Sequence, residues 1–217
     1  IFCFQSNLNF KLHPYIKNSS DSSHIRKKLL KDQDNYIGSF SKYDFQSKLK
    51  TLNIVLHTKN NYIQNCIENC LEWTQEEKNL LSNFYKLFLK NLKKYDLYDN
   101  WIRTMPFIYI VKNTMEHEGG ATGYTFRNMI FVKKIDYDLL SHELFHIYSR
   151  YNPHKKSQLY KLLGFKIANQ LKFPDNSIKD LIISNPDTQS IVYTTVKVNN
   201  TKFIVTPVIH SDNLKKN

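Results

Sequence analysis

The segment from about Tyr137 to Tyr151 constrains the fold of this chain most, because two stripes of side chains run along it at helical spacing. The apolar stripe contains Leu140, Leu144, Ile147 and Tyr151. The stripe on the neighbouring face contains Leu139, His142, Glu143, His146 and Arg150. The pattern predicts a helix with one side in a core and an adjacent side lined with ionisable groups. We expect the helix to end at Asn152-Pro153, because a residue before proline is pushed out of the α region.

Two histidines of this helix are spaced to bind one metal ion. His142 and His146 stand at i and i+4 in the sequence His-Glu-Leu-Phe-His, so both imidazoles can reach the same point. Zinc accepts neutral imidazole nitrogens and tolerates an open position for water. Glu143 is placed to take a proton from that water, which is the general-base position of a metallopeptidase. The alternative is a pair of surface histidines beside a solvated glutamate.

A catalytic zinc needs a third protein ligand, and the sequence offers several. No glutamate follows Glu143, and His154 lies beyond the proline that stops the helix. The remaining candidates are Asp175, Asp180, Asp187, His210 and Asp212. We favour Asp187, because the stiff turn Ser184-Asn185-Pro186 precedes it. The same Asn-Pro-Asp sequence also makes an ordinary turn or a helix cap.

The rest of the pattern predicts an α+β fold. Thr74 and Glu77 form a capping-box signature that opens a helix running to about Tyr95. The other predicted elements are strands over 52–56, 107–111 and 124–132, a helix over 157–164, and a hairpin of 191–198 with 201–209 that turns at Asn199-Asn200. We expect residues 1–72 to form an N-terminal arm, irregular or partly helical over 1–35, and residues 73–217 to form the domain that carries the motif.

The segment from His142 to Tyr151, with Pro153 and the later Asn185-Pro186-Asp187, resembles a group of bacterial zincin-like HExxH proteins. The similar features elsewhere are Trp101 and Pro106 before a strand, the turn Glu118-Gly119-Gly120, the strand residues Tyr124, Thr125, Asn128 and Ile130, the stretch Leu162 to Phe165, and the closing strand Val205 to Val208. Phe126 and Met129 depart from the pattern of that group. The resemblance, over roughly residues 95–212, implies a zincin-like fold: a small mixed sheet, an active-site helix and a mixed C-terminal subdomain. By analogy with gluzincins and aspzincins it also implies Asp187 as the third ligand.

The resemblance also implies roles for residues around the motif. In zincins the edge strand of the sheet runs beside the active-site helix and pairs with an extended substrate, which here assigns that role to residues 124–132. The predicted substrate contacts are Tyr124, Arg127 and Asn128. Tyr193 is the first candidate for a donor to the oxyanion, with His210 and Tyr124 as further candidates. Arg150 is expected either to orient a ligand or to be a solvated charge near a helix C-terminus.

Together these residues predict a zinc-dependent peptidase in which His142, His146 and Asp187 hold Zn²⁺ and Glu143 is the general base. The alternatives are a catalytically inactive zincin scaffold and a basic nucleic-acid-binding module. The chain has 31 Lys and Arg against 19 Asp and Glu, a formal net charge of +12, which attracts polyanions. The lysines are dispersed and lack the spacing of a nucleic-acid-binding motif, so we expect a peptide or protein substrate instead.

The start of the chain bears on the location of the protein, whereas its three cysteines do not fix the compartment. No apolar run approaches the length of about 18 residues that a transmembrane helix needs. The apolar start Ile1-Phe2-Cys3-Phe4 favours the end of a signal-peptide apolar region, and therefore export from a bacterial cell over a cytoplasmic location. Cys66 and Cys70 lie four residues apart without a second Cys or His pair nearby, which predicts buried thiols.

Overall fold

A mixed β-sheet with helices on both faces positions the motif helix. The structure, a computed structural model, describes residues 12–14, 19–49, 58–168, 183–187 and 191–206. The helices are α1 (Ser19–Lys31), α2 (Lys42–Lys48), α3 (Lys59–Glu68), α4 (Gln75–Lys94), α5 (Tyr98–Thr104), α6 (Tyr137–Tyr151) and α7 (Pro153–Leu162). The strands are β1 (Leu12–Pro14), β2 (Cys70–Leu71), β3 (Ile108–Asn113), β4 (Gly123–Phe126), β5 (Met129–Val132), β6 (Lys166–Ala168), β7 (Ile191–Val198) and β8 (Thr201–Val205). The predicted α+β class is confirmed.

The larger sheet is mixed and has the strand order β1-β3-β5-β4. β1 and β5 run parallel to β3, whereas β2 is antiparallel to β3 and β4 is antiparallel to β5. Within the described part of the chain, β4 is therefore an edge strand. A second, smaller sheet has the order β6-β7-β8 and is antiparallel throughout.

The single strand predicted over 124–132 is instead a hairpin of β4 and β5. Phe126 pairs with Met129, and the chain reverses at Arg127-Asn128, where Arg127 has a φ of 57°. This left-handed conformation is typical of tight turns. The sequence does not show the turn, because no glycine or proline marks it. Apolar and buried residues occupy both strands, since helices cover both faces of the sheet.

Successive strand residues point to opposite faces of the sheet, and each face has its own core. Ile108, Ile110, Ile130 and Val132 pack with the apolar residues of α4, α5 and α6. The opposite face presents Val111, Tyr124, Phe126, Met129 and Phe131 to residues from α1, α3 and the 3-10 helix Ile37–Ser39. The sheet is therefore the middle layer of three.

The N-terminal part of the chain supplies one of these two outer layers. Ile25 and Leu29 of α1 and Tyr62 and Ile63 of α3 are at most 1% exposed and belong to the core on that face. β1 and β2 also pair with β3 in the sheet. Residues on both sides of the predicted boundary between 72 and 73 therefore share one sheet and one core.

Several local predictions are confirmed. Thr74 caps α4 with a complete capping box, in which the Glu77 amide donates to the threonine hydroxyl at 3.2 Å and the Thr74 amide donates to the Glu77 carboxylate at 2.9 Å. α6 ends at Tyr151 as predicted. α7 begins at Pro153, four residues earlier than expected, because proline suits the first turn of a helix. The hairpin of β7 and β8 turns at Asn199 and Asn200, whose φ values are 46° and 64°.

Other predictions concern residues outside the described ranges. These are the strand over 52–56, Cys3 and the ligand candidates Asp175, Asp180, His210 and Asp212. Cys66 and Cys70 are free thiols and are fully buried, as predicted. Among the described residues, no helix is both long and apolar enough to span a membrane.

His117 is an unpredicted buried titratable group in the core beneath α3. Its Nε2 atom lies 2.8 Å from the Tyr124 hydroxyl, and its Nδ1 atom has no hydrogen-bond partner in the described part of the chain. Burial, assisted by the positive charge of Lys48, lowers the pKa of His117 to about 3. The imidazole is therefore neutral in the folded protein near neutral pH.

We expect His117 to make the folded state sensitive to acid. In the unfolded chain this imidazole takes up a proton near its ordinary pKa of about 6.5, whereas the folded state excludes the proton down to about pH 3. The stability it contributes is therefore complete above about pH 6.5 and is lost as the pH falls, at about 1.4 kcal/mol per pH unit.

Urea unfolding at pH 7, 6 and 5 with a chelator present, for the wild type and for His117→Gln, measures this slope. The difference in unfolding free energy between the two proteins should shrink as the pH falls. An unchanged difference, or an NMR titration that shows His117 protonated near pH 6.5, would contradict the prediction.

Candidate functional site

The two histidines of α6 face each other across one helical turn. The His142 and His146 Nε2 atoms lie 2.8 Å apart, and the two rings are inclined at 82°. Asp136 caps the helix by accepting a hydrogen bond from the Leu139 amide at 2.9 Å. The predicted apolar stripe fixes the helix orientation, because Leu140, Leu144 and Ile147 are fully buried, although Tyr151 at its end is 41% exposed.

Glu143 is buried between α6 and β4. The residue is 2% exposed, and its Oε2 atom has no hydrogen-bond partner among the described residues. Burial raises the pKa of Glu143 to about 8, and the negative charge of Asp187 acts in the same direction while Arg150 opposes it. Gly123 makes room for the carboxylate, since a Cβ atom there would lie 3.2 Å from Glu143 Oε1.

Asp187 is held against the edge of the sheet by Thr125. The backbone amide and the side-chain hydroxyl of Thr125 both donate to Asp187 Oδ1, each at 2.7 Å. Asp187 Oδ2 accepts no hydrogen bond from the described residues. Ligand atoms of Glu143, His146 and Asp187 all lie within 4.8 Å of one another, a separation at which they could hold a metal ion.

Arg150, one helical turn beyond His146 on α6, donates hydrogen bonds to residues that surround Asp187. Its guanidinium donates to the Arg127 carbonyl at 2.7 Å, to the Thr125 hydroxyl at 3.0 Å and to the Pro186 carbonyl at 3.2 Å. The solvated-charge alternative does not fit, because Arg150 is half-buried and hydrogen-bonded, and its orienting role stays a prediction. Arg150 holds the neighbours of Asp187, and within the described ranges it makes no ion pair with a carboxylate.

A second contact fixes the segment that carries Asp187. The Ser184 amide donates to Asp44 Oδ1 at 2.6 Å, and the Ser184 hydroxyl donates to Asp44 Oδ2 at 3.1 Å. The Asp187 amide closes a turn by donating to Asn185 Oδ1 at 2.9 Å. The stiff turn predicted before Asp187 therefore exists and is anchored to α2.

The structure brings together most, but not all, of the predicted metal ligands. His146 and Asp187 lie together with Glu143, which was predicted as a base and not as a ligand. His142 is outside that group of three but is in contact with His146. Among the described residues, the ligand atoms that lie within 4.8 Å of one another are those of Glu143, His146 and Asp187, and the set of His142, His146 and Asp187 stays a prediction. Tyr193 lies on β7 opposite Lys166, and its role stays a prediction.

The side chain of Tyr124 does not face the site, which corrects its predicted contact with substrate. Tyr124 is 2% exposed, its ring stacks on Phe131, and its hydroxyl is engaged with His117 on the face of the sheet opposite α6. The alternation of a strand turns its neighbour Thr125 toward α6 instead. For the same reason Tyr124 cannot supply the oxyanion donor.

Asn128 is also a structural residue, which corrects a second predicted substrate contact. It is 7% exposed, its Oδ1 atom accepts from Lys28 Nζ at 2.9 Å, and its amide donates to the Phe107 carbonyl. Arg127 donates to Asp34 and Gln33, and it lines a surface pocket of about 280 Å³ at the side of α1. A substrate contact of Arg127 stays a prediction.

The predicted edge strand lies beside α6, but part of its edge is already used. β4 occupies the end of the sheet, and the amide of Thr125 that points outward donates to Asp187. A substrate strand therefore cannot accept that hydrogen bond. Gly123, at the start of β4, lies next to Glu143.

Sequence reasoning missed the residues that hold Asp187 in place. Thr125 pairs with Ile130 across the hairpin and shares its face toward α6, which the sequence did not show because both faces of the hairpin are buried. Asp44 carried no such signal, because it lies 140 residues from Ser184 in the sequence.

The donor chemistry of this group fits a divalent transition metal. Imidazole nitrogen and carboxylate oxygen are ordinary zinc ligands. The buried Glu143 Oε2 atom has no partner among the described protein atoms, and the Nε2 atoms of His142 and His146 face each other at 2.8 Å. Comparison of the chain with protein-family models, with curated proteins and with solved structures found no match. The zincin resemblance and the predicted export therefore stay predictions.

Proposed function

We propose that the chain is a zinc-dependent peptidase of the zincin type, in which His142, His146 and Asp187 hold the ion and Glu143 acts as general base. The observation that carries this proposal is the buried Glu143 carboxylate with a free oxygen beside His146 and Asp187. A buried carboxylate without a partner is costly to the fold, so its presence at this position favours a functional role.

A bound zinc ion would lower the pKa of a coordinated water to about 7 and polarise the scissile carbonyl. The chain's own contribution is proton transfer. Burial raises the pKa of Glu143 to about 8, which makes its carboxylate a stronger base than that of an exposed glutamate, and a bound divalent cation would favour the ionised form that accepts the proton. The same carboxyl group then delivers that proton to the leaving amine.

The substrate is proposed to approach along the edge of β4 at Gly123. Gly123 leaves room for the Glu143 carboxylate beside this strand, and an edge strand can pair with an extended peptide. Tyr193 stays the proposed donor to the oxyanion.

Metal content and peptide hydrolysis, measured on the same preparation, test this function. The purified chain should retain about one zinc per molecule after dialysis. It should cleave unstructured peptides in a mixture analysed by mass spectrometry, lose activity with a chelator and regain it with added zinc. A zinc-loaded protein that cleaves no peptide would support the inactive scaffold, and a protein without zinc affinity would contradict the proposal.

A further inference from the structure

α2 is tied to the segment before Asp187 through one buried carboxylate. Asp44 is 1% exposed, and its two oxygens accept from the Ser184 amide at 2.6 Å and the Ser184 hydroxyl at 3.1 Å. An amide and a hydroxyl from one residue on one carboxylate make a two-point contact, which fixes orientation as well as distance.

Asp44 is itself held firmly. Its Oδ2 atom accepts from the Ser41 amide at 2.9 Å, and its own amide donates to the Ser41 hydroxyl at 3.1 Å, which completes the capping box of α2. At the other end of α2, Lys48 forms a buried ion pair with Glu118. α2 is therefore anchored at both ends and can serve as a fixed support.

The supported segment leads directly to the metal group. Ser184 precedes Asp187 by three residues, and between them the Pro186 carbonyl accepts from Arg150 at 3.2 Å. Asp187 is thus held from the sheet by Thr125 and from α2 by way of Ser184. Neither support alone fixes both ends of this short segment.

We propose that Asp44 is a positioning residue for the metal site, which holds residues 183–187 through Ser184 so that the Asp187 carboxylate stays beside His146 before an ion binds. Groups that orient a metal ligand commonly change metal affinity by about 10–100-fold when they are removed. Through Asp44, the position of α2 in the N-terminal layer would affect how tightly the site binds the metal ion. This role rests on the proposed metal site.

Zinc dissociation constants of Asp44→Asn and Ser184→Ala, measured by competition with a chromophoric chelator, test the role. We expect Asp44→Asn to raise the constant by about tenfold and Ser184→Ala by less, since the Ser184 amide is kept. Ser41→Ala is the matched control, because it weakens the same capping box without touching Ser184. An equal rise in Ser41→Ala would assign the effect to the general stability of α2 and overturn the proposal.

The double variant Asp44→Asn/Ser184→Ala provides a second criterion. If the two residues act through one contact, the double variant should have nearly the zinc affinity of Asp44→Asn alone. Effects that multiply would contradict the proposal. Ser184→Ala leaves the buried carboxylate of Asp44 in place, so it remains informative if Asp44→Asn folds poorly.

Hydrogen exchange of the metal-free protein separates this inference from the peptidase proposal. The amides of Ser184, Asn185 and Asp187 should exchange faster in Asp44→Asn than in Ser41→Ala. This result would support the positioning role even if the wild type cleaved no peptide. Equal exchange in Asp44→Asn and the wild type would overturn it whether or not the protein is a peptidase.

Discussion

Replacement of Glu143 by Gln is expected to lower the rate of peptide hydrolysis by about 10²–10⁴-fold while the protein keeps its zinc. The amide has nearly the shape of the carboxyl group but cannot accept and return a proton. It also removes a buried carboxylate whose Oε2 atom has no partner in the described part of the chain, so we expect no loss of stability. Turnover of a fluorogenic peptide and zinc content of the same sample measure the two effects.

The control for Glu143→Gln is Glu72→Gln, which makes the same chemical change at an exposed position. It should leave both activity and zinc content unchanged. Retained hydrolysis in Glu143→Gln would contradict the general-base role. Loss of zinc in Glu143→Gln would show instead that Glu143 is a ligand, as its position beside His146 and Asp187 also permits.

Replacement of His146 or Asp187 by Ala is expected to remove the zinc from the protein. Each substitution leaves at most two of three protein ligands, and a catalytic zinc site needs three. The effect should appear as near-zero metal content after dialysis, with the protein still folded by circular dichroism. His142→Ala should give the same result if the ion is held by both histidines.

Two further variants provide comparisons for the zinc loss expected in His146→Ala and Asp187→Ala. His154→Ala changes a histidine on α7 that lies outside the proposed ligand set, and it should keep its zinc. Thr125→Val removes one of the two hydrogen bonds to Asp187 Oδ1, so it should weaken zinc binding by about 10–100-fold without abolishing it. Full zinc content in His146→Ala would contradict the proposed metal site.

Local periodicity predicted the elements on which the candidate site is built. The apolar stripe of α6 predicted its buried side, and the proline at residue 153 predicted its end. The capping box at Thr74 predicted the start of α4. These signals are local, because helix registers and caps are set by residues within one or two turns.

The partners of the site were harder to predict, because they depend on contacts between distant parts of the chain. The direction in which the Tyr124 side chain points depends on the turn at Arg127, and no glycine or proline marks that turn. Burial of the β4–β5 hairpin on both faces removed the alternation that separates inward from outward residues. The contact between Asp44 and Ser184 joins residues that no local pattern can relate.

The contact of α2 with Ser184 also has a consequence for any removal of the N-terminal part of this chain. A cut near residue 72 would release α1, α2 and α3 together. Here that cut would strip β1 and β2 from the sheet and leave the segment before Asp187 without one of its two supports. The N-terminal third of this chain is thus an integral part of the fold around the larger sheet.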